Sequence, residues 1–377
     1  MRTSATAIIA IVLILVALGL IMLASTSYVQ ADASYRDSAY FVKRQLVALV
    51  VGLVAFFTCL RIPYHHWKVL APFIAVSVII LLVMAVTPGV GITVKGSSRW
   101  LKLGPVTIQP SELAKFAVII TLSVWLCLVQ RTVGTFKNGL LIPGGILAIF
   151  AGLIFIEPDF GTTMLIGMVG LSIMFVAGAR ISYLSIVTVL GLSGFIFAVF
   201  KNEVRMRRIL AFLNPEKYAQ NEAFQLLHAI YAFVLGGFSG AGFGESLQKR
   251  FYLPEAHTDF IFAIMGEELG ILASLGVVLL FAAFFGFGLF ISFRTSDIFG
   301  RLVAFGITLM ISLQAAINIA VVTGCMPTKG LPLPFISYGG TSLVVTLAMV
   351  GVLVNVAFHA SEDLVSRHAT KNRPIRI

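Results

Sequence analysis

Charged residues are scarce in this chain of 377 residues. They make up 11% of it, whereas an average soluble domain has about 25%. So few charges do not cover the surface of a soluble protein of this length, which excludes an ordinary soluble enzyme or binding domain. Hydrophobic residues account for 59% of the chain, and this composition predicts an integral membrane protein.

Cysteine and acidic residues are also few. The three cysteines are odd in number and have no metal-ligand spacing, so Cys59, Cys127 and Cys325 are interpreted as packing residues. The chain has 16 acidic and 27 basic residues, which gives a net charge of +11. We find no nucleic-acid-binding motif and expect no nucleic-acid partner. The basic balance suits membrane topology and contact with lipid headgroups, and outside the membrane it indicates either interfacial anchoring or an anionic ligand.

Long apolar runs dominate what is present, since about 20 apolar residues span a bilayer as a helix. Ten such segments are found, at 5–24, 45–60, 69–87, 111–130, 140–156, 163–179, 182–200, 259–290, 302–323 and 341–360. The sequence therefore predicts an all-α integral membrane protein of about ten transmembrane helices, in which residues 1–377 form a single polytopic domain.

The distribution of Lys and Arg favours cytoplasmic termini. Residues 201–258 then form a large extracytoplasmic loop between spans 7 and 8, and residues 361–377 form a basic, mobile cytoplasmic tail. Residues 88–110 predict a small hairpin or an irregular outer loop.

Three further outer stretches have special backbone requirements. The apolar stretch from Ala223 to Leu235 is too short to span and suits an interfacial or re-entrant helix. Prolines and glycines exclude a helix over 324–340, although the stretch is largely apolar, so it is expected to be buried or to line a cavity. The glycine-rich stretch 236–244 lacks a preceding strand and a following Gly-Lys-Ser/Thr, so it indicates flexible backbone rather than a nucleotide loop.

Ionisable residues cluster at the predicted outer ends of the spans. Glu112 and Lys115 lie three residues apart on one helix face, which fits either a structural ion pair or a cation that Glu112 presents to an anionic ligand. Glu157 and Asp159 lie in a tight turn, where they fit helix caps or a divalent-ion site.

Asp259 has two interpretations at the start of the eighth span. It is either a helix cap that complements the helix dipole or a general base whose pKa is raised by burial. His257 is an alternative base. Glu267 and Glu268 lie deeper and require polar partners, so structural hydrogen bonding is expected for them. The basic stretch 205–208 fits either snorkelling at the interface or a phosphate clamp.

Four long motifs occur in order along the chain: GSSRW with IQPSELAKF, EPDFGTT, LPEAHTDFIFAIMGEELG, and PTKGLPLPFISYGGTS. Together they resemble the SEDS family of cell-wall polymerases over essentially the whole length. Their wording resembles the division branch of the family more than the elongation branch. Thr341 stands where a serine is expected.

The resemblance implies a peptidoglycan glycosyltransferase that polymerises lipid II on the outer face of a bacterial cytoplasmic membrane, and a class B penicillin-binding protein as its transpeptidase partner. For the division branch it also implies other divisome proteins and the septum. Asp259 matches the family's essential aspartate. The resemblance also assigns a group of substrate-binding positions, which are Arg99, Trp100, Glu112, Lys115, Asp159 and Gln225.

The chemistry of glycosyl transfer agrees with these assignments. Asp259 is predicted to take the proton from the acceptor's 4-hydroxyl, and Trp100 is expected to stack on a sugar or lie against lipid. Arg99, Lys115 and Arg205 are predicted to stabilise the undecaprenyl pyrophosphate leaving group, with Mg²⁺ as a candidate ion and no organic cofactor. A lipid II flippase is the main alternative function, because Glu267 and Glu268 are polar groups within a span.

Overall fold

The structure is a computed structural model that describes residues 1–94, 97–104, 106–201, 203–250 and 252–371. Helices make up nearly all of it. In chain order they are α1 (Arg2–Tyr35), α2 (Tyr40–Arg61), α3 (His66–Val86), α4 (Pro110–Leu128), α5 (Ile142–Ile156), α6 (Phe160–Val176), α7 (Ile181–Phe200), α8 (Glu203–Leu213), α9 (Phe224–Gly236), α10 (Ile261–Arg294), α11 (Ile298–Val322) and α12 (Gly340–Lys371).

Each of the ten predicted spans coincides with a separate helix. Within the described residues, eight helices are long and apolar enough to cross a membrane, and α5 is among them because a π-helical turn at Lys137–Leu141 extends it to 20 residues. The other two predicted spans correspond to α6 and α7, which are apolar but slightly shorter over their described parts. The expectation of an all-α, multi-pass membrane protein is therefore confirmed.

Other elements refine the prediction. The short helix expected over 223–235 is α9, and no helix lies between α11 and α12 within the described chain, as predicted for 324–340. The amphipathic helix α8 was not predicted. The C-terminal tail was expected to be mobile from residue 361, but α12 continues to Lys371, and 372–377 lie outside the described residues.

The outer segment 88–110 forms a small antiparallel sheet, which confirms the predicted hairpin. Its strands are β1 (Gly91–Val94), β2 (Ser97–Leu103) and β3 (Val106–Ile108), in the order β1-β2-β3. Ile92 pairs with Trp100, and Leu101 pairs with both Gly91 and Ile108. The sheet precedes α4 directly and so holds Arg99 and Trp100 near the start of that helix.

Helices α4, α11 and α12 are the most buried spans and form the centre of the protein. Around them α12 packs on α2, α3 on α4, and α10 on α1, α9 and α11. The outward faces of α2, α3 and α7 expose many large apolar side chains. In a membrane these faces contact lipid, so their exposure carries no cost.

Helix α10 is broken at Gly270, where the prediction expected an uninterrupted span. Gly270 has φ 79° and ψ 178°, a conformation that only glycine adopts readily. The glycine-rich stretch 236–244 docks into this break. The Ala241 amide donates to the Glu267 carbonyl (2.8 Å), and the Ile271 amide donates to the Gly237 carbonyl (3.0 Å). The stretch is thus a docked segment, which corrects the expectation of flexible backbone.

Candidate functional site

A cavity of about 710 Å³ opens among the segments predicted to lie outside the membrane. The long α11–α12 loop, the turn before α10, the turn between α5 and α6, strand β2 and the start of α4 surround it. Six of the eight predicted site residues line it, namely Asp259, Arg99, Trp100, Glu112, Asp159 and Gln225. The fold therefore brings together positions that are far apart in sequence.

The backbone around Asp259 is held by the α11–α12 loop. The Asn318 side-chain amide donates to the Asp259 carbonyl (2.8 Å) and to the Leu331 carbonyl (2.7 Å). The Ser337 hydroxyl donates to the Thr258 carbonyl at 2.5 Å. These bonds fix the segment that carries Asp259 against α11 and the α11–α12 loop.

The Asp259 carboxylate lies over a glycine. A Cβ atom added to Gly330 would stand 2.9 Å from Asp259 Oδ2. Helix α10 begins at Ile261 with Phe260 as its N-cap, so Asp259 lies just before the capping position. The helix-cap interpretation of Asp259 is therefore corrected, whereas its position at the cavity wall suits a reacting group.

The turn between α5 and α6 combines a helix cap with an arginine anchor. Asp159 is the N-cap of α6, where its two oxygens accept from the Thr162 amide (3.1 Å) and hydroxyl (3.0 Å). Arg99 reaches the turn from β2 and donates to the carbonyls of Glu157 (3.1 Å) and Pro158 (2.6 Å). Asp159 is thus a cap that also lines the cavity.

Glu157 is buried in the same turn, beyond the end of α5. Burial raises the pKa of its carboxyl to about 8, with a further increase from the nearby Asp159 charge and an opposing effect of Arg99. The side chain is 1% exposed. A carboxyl in this environment holds a proton near neutral pH.

Glu112 and Lys115 form a buried ion pair at 2.7 Å. The Lys115 ammonium also donates to Gln314 Oε1 (2.8 Å), and the Gln314 amide donates to the Pro332 carbonyl (2.8 Å). Glu112 lines the cavity, whereas Lys115 is 1% exposed and lies behind it. Lys115 is therefore placed to hold Glu112 and the loop, which differs from the expected direct contact with an anionic ligand.

The cations at the cavity wall differ in part from those expected. Arg205 stacks on the Phe160 ring, 3.5 Å from its centroid. It lies outside the described lining, and the member of the basic stretch that faces the cavity is Arg208. Arg208 thus takes the position in the wall that the sequence had suggested for Arg205.

Lys329 is a lining cation that the sequence reasoning missed. Its ammonium contacts Met164 Sδ (3.0 Å) and lies 5.2 Å from the Phe195 ring centroid. Burial lowers its pKa. The available signal was a lone lysine in an apolar, proline-rich outer segment.

His257 lines the cavity too, but its ring packs against Phe41 (4.6 Å between centroids).

Glu267 and Glu268 lie outside the described lining of the cavity. Glu267 accepts from the Ser246 hydroxyl and the Leu247 amide (2.8 Å). Glu268 pairs with Lys249 (2.6 Å) and accepts from Ser25 (2.7 Å). Structural hydrogen bonding is thus confirmed for both, which removes the main support for a polar path through the membrane.

Asp259 is a half-buried carboxylate in a cavity that Arg99, Arg208 and Lys329 also line, together with the carboxylates of Glu112, Asp159 and Glu255. A carboxylate of this kind accepts a proton from a hydroxyl, and the cations stabilise negative charge on a phosphate. Among the described residues no group of three acidic, His or Cys side chains has the geometry of a metal site.

Comparison with known proteins assigns the chain to a family. The family model for cell cycle proteins of the FtsW, RodA and SpoVE type matches residues 5–362. This chain belongs to that family. It is the SEDS family that the motifs resemble, and the match covers all ten predicted spans.

Named relatives of this SEDS protein are similar over most of their length. Stage V sporulation protein E of Bacillus subtilis is 41% identical over 348 residues, covering 92% of this chain and 95% of the relative. The probable peptidoglycan glycosyltransferase FtsW of Geobacter metallireducens is 41% identical over 339 residues, covering 90% of each.

One solved structure of similar fold is described as "Structural coordination of polymerization and crosslinking by a peptidoglycan synthase complex". The matching chain of that structure has a TM-score of 0.76 and 25% sequence identity, and the match covers 94% of this chain and 98% of the matching chain. The rod shape determining protein RodA of Thermus thermophilus has a TM-score of 0.69 at 24% identity, covering 93% and 95%. The latter supports the fold alone.

Proposed function

We propose that this SEDS protein is a peptidoglycan glycosyltransferase that polymerises lipid II into glycan strands at the outer face of the cytoplasmic membrane. The observation that carries the proposal is the Asp259 carboxylate, half-buried in a cavity of about 710 Å³ whose wall also holds three cations. The names of the relatives support the reaction class. The position of the cavity suits a substrate whose lipid lies in the membrane while its sugars lie outside.

In the proposed reaction, the 4-hydroxyl oxygen of the acceptor's GlcNAc attacks C1 of the donor's MurNAc. A C–O glycosidic bond forms as the bond from C1 to the pyrophosphate oxygen breaks, and this direct displacement inverts the anomeric centre. Asp259 takes the hydroxyl proton, and the lipid pyrophosphate leaves with the bonding electrons. Asp259 is favoured over His257 because the imidazole ring is packed against Phe41.

The leaving pyrophosphate needs positive charge, which Arg99, Arg208 and Lys329 supply from the cavity wall. Lys115 acts indirectly in this proposal, by fixing Glu112 and, through Gln314, the α11–α12 loop. Arg205 supports Phe160 at the start of α6. Trp100, Asp159 and Gln225 line the cavity and are proposed to contact the sugars and phosphates.

We propose Mg²⁺ only as an ion that the substrate brings, and not as one held by a site of the protein alone. The described residues provide no cluster of three ligands, so they do not fit a metal site made by the protein alone. Mg²⁺ commonly binds one or two carboxylates together with substrate phosphates, and we propose that it arrives bound to the substrate's pyrophosphate. None of the steps above depends on it.

The partner and the site of action belong to the same proposal. A class B penicillin-binding protein is proposed as the transpeptidase partner, because one structure of similar fold comes from a complex that couples polymerization to crosslinking. Relatives named FtsW favour a role at the division septum, with other divisome proteins as proposed partners. The distribution of Lys and Arg favours cytoplasmic termini. A polymerase for cell elongation is the alternative within the family.

Polymerisation of purified lipid II tests the proposal directly. We compare the wild type with Asp259→Asn, each alone and with a class B partner whose transpeptidase site is blocked. Asp37→Asn is the matched control, because Asp37 pairs with Lys43 on the α1–α2 turn outside the described cavity lining. We expect polymer from the wild type and the control, and none from Asp259→Asn.

The other outcomes have definite meanings. Equal polymer from Asp259→Asn would keep the polymerase but remove Asp259 from its mechanism. A competent substrate and partner that yield no polymer with any variant would contradict the proposal. Lipid II translocation by the same preparation in vesicles would then favour the flippase.

A further inference from the structure

A second cavity of about 410 Å³ adjoins the catalytic cavity. We call it the side pocket, and its described lining is Val204, Arg207, Arg208, Asn221, Glu222, Gln225 and Thr328. Arg208, Gln225 and Thr328 line both cavities. The two cavities therefore adjoin at these three residues.

The side pocket is formed in part by α8, an amphipathic helix. Its apolar residues Val204, Leu210 and Leu213 are exposed, and Arg207 and Arg208 are exposed beside them. A short helix with this pattern lies in the membrane interface, with its apolar face in lipid and its basic residues at headgroup level. That is the level at which a membrane lipid carries its phosphates.

Arg207 is available for a stronger partner. It pairs with Glu203 at 3.6 Å and with Glu222 at 4.0 Å, and its side chain is 58% exposed. Exposed ion pairs of this length contribute little. A guanidinium binds a phosphate through two parallel hydrogen bonds, which is a more favourable arrangement.

The proposed reaction joins two substrates that each carry a lipid pyrophosphate. The donor loses its pyrophosphate at the catalytic cations. The acceptor keeps its own, which lies one disaccharide away from the reacting 4-hydroxyl. A site for that second pyrophosphate must therefore carry cations, lie outside the catalytic centre, adjoin it and stand at headgroup level. The side pocket meets these requirements: its described lining holds two arginines and one glutamate, it adjoins the catalytic cavity, and helix α8 forms part of it.

We infer that the side pocket binds the pyrophosphate of the lipid-linked acceptor through Arg207, with Arg208 at the junction of the two cavities. The inference rests on the proposed polymerase function and assigns the acceptor to one side of the catalytic cavity. Arg207 is a substrate-binding residue in this assignment, and it takes no part in proton transfer.

Binding measured without turnover tests the inference. The probe is lipid II whose GlcNAc 4-hydroxyl is replaced by hydrogen, which binds but cannot act as acceptor. Native mass spectrometry counts the molecules bound to the wild type, Arg207→Ala, Arg207→Lys and Arg250→Ala in nanodiscs. Arg250 is the matched control, since it is an exposed arginine of the same outer segment outside the described lining of both cavities.

We expect two bound probes for the wild type and Arg250→Ala. Loss of a charged hydrogen-bond partner weakens binding roughly tenfold or more, so the second probe should bind that much more weakly to Arg207→Ala, with partial recovery in Arg207→Lys. A single probe on the wild type, or equal binding by Arg207→Ala and Arg250→Ala, would overturn the inference. Two bound probes on a protein that fails to polymerise unmodified lipid II would instead reject the polymerase and keep the second lipid II site, so the two failures are distinguishable.

Discussion

At the residue scale, Gly330 sets the space available to the Asp259 carboxylate. The Gly330→Ala variant places a methyl group 2.9 Å from Asp259 Oδ2, and the carboxylate moves because it is the mobile end of a side chain. Misplacing a reacting group by about 1 Å costs up to a hundredfold in rate. We expect kcat for lipid II polymerisation to fall about ten- to a hundredfold, with little change in thermal stability.

Gly339→Ala is the control for this variant. Gly339 lies in the same loop and lines the same cavity, but its added Cβ meets Ser342 at an ordinary contact distance of 3.4 Å. Near-wild-type kcat is expected for Gly339→Ala. Equal activity of both variants would show that the position of Asp259 does not limit the rate.

The raised pKa of Glu157, about 8, gives a stability prediction. An unfolded Glu titrates near 4.5, so between these values the folded state holds the extra proton. Its contribution to folding stability is therefore complete below pH 4.5 and is lost as pH rises to 8. The free-energy change across this window is on the order of 5 kcal/mol.

Glu157→Gln removes this titration. Thermal unfolding in detergent at pH 5, 7 and 9 should show a wild-type midpoint that falls relative to Glu157→Gln as pH rises. Parallel pH profiles for the two proteins would contradict the assignment of the buried proton to Glu157.

Sequence patterns located Asp259 and Arg99, because residue type and motif identify an acid or base at an outer loop. They did not separate Arg208 from Arg205, since the rotation of α8 about its axis decides which of them faces the cavity. They also predicted that Lys115 contacts the leaving pyrophosphate. Its ammonium is instead buried and donates to Gln314, a residue of α11 whose proximity only the fold reveals.

At the element scale, the break in α10 requires a glycine. Gly270→Ala forces an unfavourable φ of 79° and drives the new Cβ into the backbone of Phe238 and Gly240. Strain of this kind costs about 1–3 kcal/mol, and the clash adds to it. We expect a lower thermal midpoint and faster proteolysis within 236–250, because the glycine-rich segment can no longer dock.

Gly276→Ala provides the comparison for the same helix. A Cβ at Gly276 meets nothing within 4 Å, and alanine is favoured over glycine inside a helix by about 0.5–1 kcal/mol. This control should retain or raise the midpoint. If Gly270→Ala behaves in the same way, the docked segment does not depend on the break.

The ten spans were predictable because each is a long apolar run that the bilayer requires to be helical. The break was not, because the groups that satisfy the interrupted backbone come from Gly237 and Ala241, about 30 residues earlier in the chain. Helix α8 was missed for a different reason. Its basic residues suggested a loop, and its apolar face is short.

At the scale of the whole molecule, the proposed topology places the cavity and Cys325 on the outer side. Cys325 is exposed, whereas Cys59 is buried. A membrane-impermeant maleimide should label the wild type in intact cells and fail to label Cys325→Ser. Lys137→Cys in the Cys325→Ser background should react only after permeabilisation, since Lys137 is exposed beyond the other end of α4. The reverse pattern would invert the topology.

The interruption at Gly270 divides α10 into two parts with different surroundings. The outer part of α10 is held by the glycine-rich segment and, through Glu268, by Lys249 and by Ser25 of α1. The inner part meets the lipid. Bilayers differ in thickness, and helices adjust to that difference by tilting. A tilt of the inner part can be absorbed at the interruption, so Asp259 keeps its place over the α11–α12 loop when membrane composition changes. The proposed general base is thereby insulated from changes in bilayer thickness.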